Sequence, residues 1–172
     1  MANKEALRAL QNRLAQRLQE ARSTTRGRSW LAVESGGRGF LFPLKESGEI
    51  FPMAPLVAVT HAQPWFLGVA NLRGHLHGVV DLAAFIGIKV GTPNRDLSRL
   101  VAFNAALETN AALLVDRLAG LRAEDDLVIE READESTPSF VGQRLRDAEG
   151  RVWQEINLAH LVRHEAFLKI VN

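Results

Sequence analysis

From residue 29 onward the apolar residues come mostly in short runs, and chain-reversing clusters separate the runs. Three clusters stand out: Ser35-Gly36-Gly37-Arg38-Gly39, Asn71-Leu72-Arg73-Gly74 and Asp147-Ala148-Glu149-Gly150. Short apolar runs flanking glycine, asparagine or aspartate turns read as strands joined into hairpins. The spacing predicts hairpins over residues 29–44, 65–82 and 139–157. A chain punctuated in this way is mainly β.

The other segments fit around that frame. Leu7, Leu10, Leu14, Leu18 and Ala21 form one stripe at three- and four-residue steps, which predicts an N-terminal amphipathic helix ending at Ser23–Gly27. The stripe is expected to dock on the body of the protein or on a partner. Pro52, Pro55 and Pro64 confine the stretch after Pro43 to strand ends and sheet edges, because proline donates no backbone hydrogen bond. A short helical turn is expected through Phe85, and a turn-rich connection over residues 87–99. Residues 100–121 read as strand–turn–strand, although their alanines also permit helix. The acidic stretch that follows reads as a loop with one short strand, Leu127-Val128-Ile129, and the tail after Asn157 as one helix.

A faint internal repeat runs through this pattern. Phe66-Leu67-Gly68 leads through a turn to Asp81-Leu82-Ala83, and Phe140-Val141-Gly142 leads through another to Asn157-Leu158-Ala159. A strand–turn–strand unit precedes each, at 30–44 and 100–118. Two similar β modules placed back to back account for both. The length of 172 residues suits one domain or two small subdomains sharing a core.

Composition removes several kinds of chemistry. The chain has no cysteine, so disulfides, thiolate metal sites and cysteine nucleophiles are excluded. No apolar run reaches the roughly 18–20 residues that span a bilayer, and the N-terminus lacks a signal-peptide pattern. A cytoplasmic, soluble protein without membrane insertion is expected. Net charge is +1, yet residues 1–28 carry seven basic side chains and residues 124–135 seven acidic ones. Such asymmetry implies surfaces with different partners, or two regions that attract each other.

Catalytic patterns are scarce. There is no phosphate-binding glycine loop and no G-x-S-x-G. The basic N-terminal segment lacks aromatic interleaving and a recognised module, so no nucleic-acid partner is expected. His160 and His164 stand four apart but form half a metal site at most. One enzymatic alternative is a metal-dependent site on a single strand face, with His75, His77 and Asp81 alternating to the same side. Against it, Asp81 is placed to cap the turn that follows.

The stretch Gly68-Val69-Ala70-Asn71-Leu72-Arg73-Gly74, followed by Val79-Val80-Asp81-Leu82, resembles the CheW-like adaptor domains of bacterial chemosensory systems. Glu49-Ile50, about twenty residues before the turn, fits the same pattern, and the resemblance extends over residues 30–168. Gln63–Gly68 and Val79–Phe85 are similar to members that serve type IV pilus twitching motility. The chain departs from the pattern at Asn157, where many relatives carry aspartate, and in a longer acidic loop. The resemblance implies two intertwined five-stranded β-barrels, with a helical extension over residues 1–28 and a short C-terminal helix within the domain at 29–172. It implies no catalysis, cofactor or metal. The implied partners are the regulatory domain of a CheA-type histidine kinase and the cytoplasmic tip of a methyl-accepting receptor, met at receptor arrays on the inner membrane. Arg73 and Glu49 are the contact residues that the resemblance implies, and Asn71, Leu72 and Gly74 of the same corner are expected to bind the partner with them.

Overall fold

The computed structural model describes residues 2–24, 27–88 and 96–172. Its strands, in chain order, are β1 (Ser29–Ser35), β2 (Arg38–Pro43), β3 (Ser47–Pro52), β4 (Phe66–Leu72), β5 (His75–Asp81), β6 (Arg99–Phe103), β7 (Ala111–Val115), β8 (Arg117–Ala123), β9 (Leu127–Arg131), β10 (Val141–Asp147) and β11 (Val152–Ile156). The helices are α1 (Ala2–Thr24), α2 (Leu82–Ile86), α3 (Leu158–Leu161) and α4 (Glu165–Leu168).

Residues 30–33 are buried on both faces, and this explains their unbroken apolar run. Alternate residues of β1 and β2 point to opposite sides. Trp30, Ala32 and Leu41 enter one core with Leu127, Leu145 and Trp153. Leu31, Val33, Phe40 and Phe42 enter a second core, shared with Val101, Leu113, Ile156 and Phe167. A third core lies inside the other sheet, around Ala70, Leu72, Val79 and Leu100. The molecule is thus two β modules, each with its own interior, joined by a large apolar seam.

The first module has the strand order β8-β1-β2-β11-β10-β9, and the second β3-β6-β7-β5-β4. Both modules share one plan. Two hairpins meet side by side through a parallel pair, β2 with β11 and β7 with β5. An antiparallel strand is added outside, β8 on β1 and β3 on β6. The second module has the five strands expected, whereas the first carries β9 as a sixth. The modules do not lie back to back along the sequence: the hairpin at 29–43 pairs with the one at 141–156, and 99–115 pairs with 66–81. The repeat is therefore intertwined. In each module one strand of the central parallel pair ends in a cap. Asp81 accepts from the Ala84 amide at 3.3 Å, and Asn157 from the His160 amide at 3.2 Å.

One expectation is corrected. The tail is not one helix but two short pieces, α3 and α4. His164 is extended between them (ψ 133°), and its Nδ1 accepts from the Ala166 amide, which starts α4 afresh. The break lets Phe167 reach the seam, where it is 5% exposed. Of the leucine stripe on α1, Leu7, Leu10 and Leu14 do not dock on the body, at 53–57% exposed. Of the predicted connection at 87–99, residues 89–95 lie outside the described residues, as do residues 25–26 of the predicted helix break.

Candidate functional site

The β4–β5 hairpin closes at the pair Leu72–His75, leaving Arg73 and Gly74 as a two-residue turn. Both have positive φ, +50° and +82°, the pattern of a type I′ turn whose twist suits a hairpin. Space does not demand glycine at 74, since a Cβ there would touch nothing within 4 Å; the backbone angle does. Arginine holds its left-handed angle at a cost of roughly 1 kcal/mol. The Asn71 side chain braces the corner by accepting from the Gly74 amide at 2.8 Å.

Arg73 is thereby presented outward, with its side chain 74% exposed. Its Nη1 lies 2.7 Å from Oε1 of Glu49, which is 43% exposed on β3. β3 and β4 are opposite ends of their sheet, so this ion pair spans the two edges. The rings of Phe51 on β3 and His77 on β5, the strand next to β4, also approach, at 6.4 Å. The second sheet therefore curls into a barrel, and Glu49–Arg73 sits at its mouth. An exposed pair of this kind contributes at most about 1 kcal/mol to stability. A guanidinium has five N–H donors, so pairing with one carboxylate oxygen leaves capacity for another acceptor. Exposed apolar side chains belong to the same strands and the segment after β3: Ile50, Met53, Val57 and Leu76.

Leu72 is corrected: its side chain is 3% exposed in the second-module core and anchors the turn from inside instead of meeting a partner. Trp65 and Phe66 are both half-buried against the seam, with Trp65 stacked on Phe167. The strand-face metal set is not assembled. Asp81 turns to the α2 amides, and His77 Nδ1 lies 3.1 Å from the His75 carbonyl oxygen. No group of three or more His, Asp or Glu among the described residues is placed to hold a metal ion.

Two clefts among the described residues lie elsewhere, and Arg73 lines neither. One, of about 620 Å³, is bordered by Trp30, Leu44, Glu46, Glu155 and His160. There Glu46 Oε1 accepts from the Ala159 amide at 3.1 Å, and Glu155 Oε2 accepts from the Trp30 indole at 2.6 Å. Burial pushes the Glu46 carboxyl up, and the Ala159 N–H opposes that shift. The other, of about 660 Å³, lies between Phe40, Ile86, Phe140 and Arg151. Beside it Glu34 binds both Arg117 and Arg151, and Arg151 covers the Trp153 ring at 4.4 Å. The Arg117 hydrogen bond holds the Glu34 carboxyl below its ordinary value. Sequence reasoning missed this cluster, whose members are 83 and 117 residues apart along the chain.

The model of the CheW-like domain matches residues 29–166. The chain belongs to the CheW-like family. It is 31% identical over 110 residues to the protein PilI of Pseudomonas aeruginosa, covering 64% of this chain and 61% of that protein. It is also 31% identical over 104 residues to a probable chemotaxis protein CheW of Rhizobium etli, covering 60% of this chain and 65% of that one. The matched segment thus spans under two thirds of the length of either relative. The crystal structure of the scaffolding protein TtCheW from Thermoanaerobacter tengcongensis superposes with a TM-score of 0.69 at 18% identity. It covers 85% of this chain and 99% of that one, which establishes the shared fold.

Proposed function

We propose that this CheW-like chain is a non-catalytic adaptor. It couples a methyl-accepting chemotaxis-type receptor to a CheA-type histidine kinase, in a chemosensory pathway that controls type IV pilus twitching motility. In this reading residues 1–28 are a helical extension, and residues 29–172 form the adaptor domain. The protein works in the cytoplasm, at receptor arrays beneath the inner membrane. The likeness to PilI supports the pilus branch of this reading.

The observation that carries the reading is the presentation of Arg73. A rigid hairpin holds an exposed guanidinium at the barrel mouth, beside Glu49 and exposed apolar groups. Asn71 and Gly74 fix the corner, and Arg73 and Glu49 make the contact. Recognition between proteins commonly centres on an arginine anchor with apolar surroundings. Arg73→Ala is expected to weaken binding to the purified kinase regulatory domain or receptor tip by about 30-fold, roughly 2 kcal/mol. Calorimetric titration measures the loss, and thermal unfolding checks that Tm moves by no more than about 2 °C, as removal of a surface pair requires. Full-strength binding of the variant to both partners removes Arg73 from the interface and overturns the proposal.

A further inference from the structure

The first half of helix α1 carries apolar side chains that its own body leaves uncovered. Leu7, Leu10 and Leu14 are 57%, 54% and 53% exposed. On a helical wheel, cations stand on both flanks of this stripe, Lys4 and Arg8 on one side and Arg13 and Arg17 on the other. Glu5 lies on the far face. Two such helices brought together stripe to stripe would oppose like charges, so the helix fits an acidic surface and not its own equivalent.

The same chain has a surface of the opposite kind. Strand β9 ends the six-stranded sheet and pairs with β10 alone. Val128 is 71% exposed on it and Ile129 47%. Flanking them along the chain are Glu124, Asp125, Asp126, Glu130, Glu132, Asp134 and Glu135. Arg131 and Arg146 engage Asp134 and Glu130, and the border remains acidic in sum. An uncovered edge strand with exposed apolar side chains is commonly covered by a helix. The stripe fits within the edge: Leu7 to Leu14 spans about 10 Å of helix, less than the roughly 17 Å of five strand residues.

We propose that α1 of one copy docks on the β9 edge of a second copy, and that the exchange is reciprocal. Arg28, four residues beyond the end of α1, exchanges hydrogen bonds with Glu124 at 2.9 and 3.2 Å, so the start of the β body lies beside the acidic stretch. Each chain carries one donor and one acceptor, and a two-fold pair satisfies both at once. This self-association stands apart from the adaptor reading and uses none of the Arg73 corner.

The test is sedimentation of the full chain over a concentration series at low and high salt. A dimer is expected that salt dissociates. Arg13→Glu with Arg17→Glu, or Glu132→Lys with Glu135→Lys, is expected to weaken it by about ten-fold or more. Mixing the two double variants restores a dimer, since both contacts of the mixed pair are again complementary. A cysteine pair, Leu10→Cys with Val128→Cys in this cysteine-free chain, is expected to crosslink between chains. Any of four results overturns the proposal: a monomer at every concentration, loss on reversing one surface only, no recovery on mixing, or a crosslink within a single chain. Binding of the monomer to anionic vesicles through α1 would overturn it equally.

Discussion

The two modules share a strand plan but use polar groups differently. In the first module, polar atoms reach into or cap the interior. The Trp30 indole donates to Glu155 and the Trp153 indole to Asp147, while Arg151 and Arg122 lie over the Trp153 ring. In the second, the core is aliphatic and aromatic, and the polar feature stands at the mouth, where Glu49 meets Arg73. Directional bonds inside a barrel specify one arrangement of its strands. An apolar interior leaves the polar side chains free to face outward. The first module is accordingly the better-determined scaffold, and the second the presenting one.

The largest expected effect falls on the first module. Trp153 is fully buried, and Gly39 opposite lacks a side chain because its Cβ would lie 2.5 Å from the indole. Trp153→Ala should cost about 3–5 kcal/mol and lower Tm by roughly 10 °C, read by calorimetry. A fall of only a degree or two would show that the first module does not carry the stability assigned to it.

A narrower test separates bonding from volume. Trp30→Phe keeps an aromatic ring but removes the donor to Glu155, and should cost about 1–3 kcal/mol. Leu100→Met in the second module conserves volume in an apolar core and should cost under about 1.5 kcal/mol. Urea unfolding of both variants compares them directly. If Leu100→Met is the more damaging, the contrast between a directional and a plastic core breaks down.

Much of the plan was legible before any coordinates. The hairpins at 29–44, 65–82 and 139–157 were readable because turn chemistry is local: each reversal needs particular residues within four or five positions. The caps at Asp81 and Asn157 were readable for the same reason. Pairing between hairpins was not, since alternation shows which face is apolar but names no neighbouring strand. That is why the repeat alone read as two modules back to back, and only the family resemblance implied that they intertwine. The inward aim of Leu72 was available from its two-residue offset to Ala70, yet the turn motif drew it into the candidate site. The Glu49–Arg73 pair joins opposite edges of one sheet, and no local pattern announces a contact made by barrel closure. The tail misread has a different origin: an apolar helical pattern cannot register that His164 would rather cap than continue.

The smallest expected effect concerns the two caps, which occupy equivalent places and differ in chemistry. Asp81 is partly buried, and desolvation, aided by the nearby Asp116 charge, raises its carboxyl above the ordinary value of 3.8; the Ala84 and Ala83 amides pull the other way. The folded chain therefore holds the Asp81 proton more tightly than the unfolded chain does. Its contribution to stability is complete below the unfolded value and is lost as pH rises through the raised folded value. Asn157 carries no such proton. Asp81→Asn gives the second module the cap of the first, and asparagine caps about as well as aspartate, so near pH 3 the change should lie within about 0.5 kcal/mol. At pH 7 the variant should be the more stable of the two, because it avoids the buried charge. Asn157→Asp should show the opposite trend if its site is equally dry. Unfolding curves for wild type and Asp81→Asn at the two pH values decide the matter. A difference that does not change with pH would mean that Asp81 pays no desolvation penalty and that the two caps are electrostatically alike.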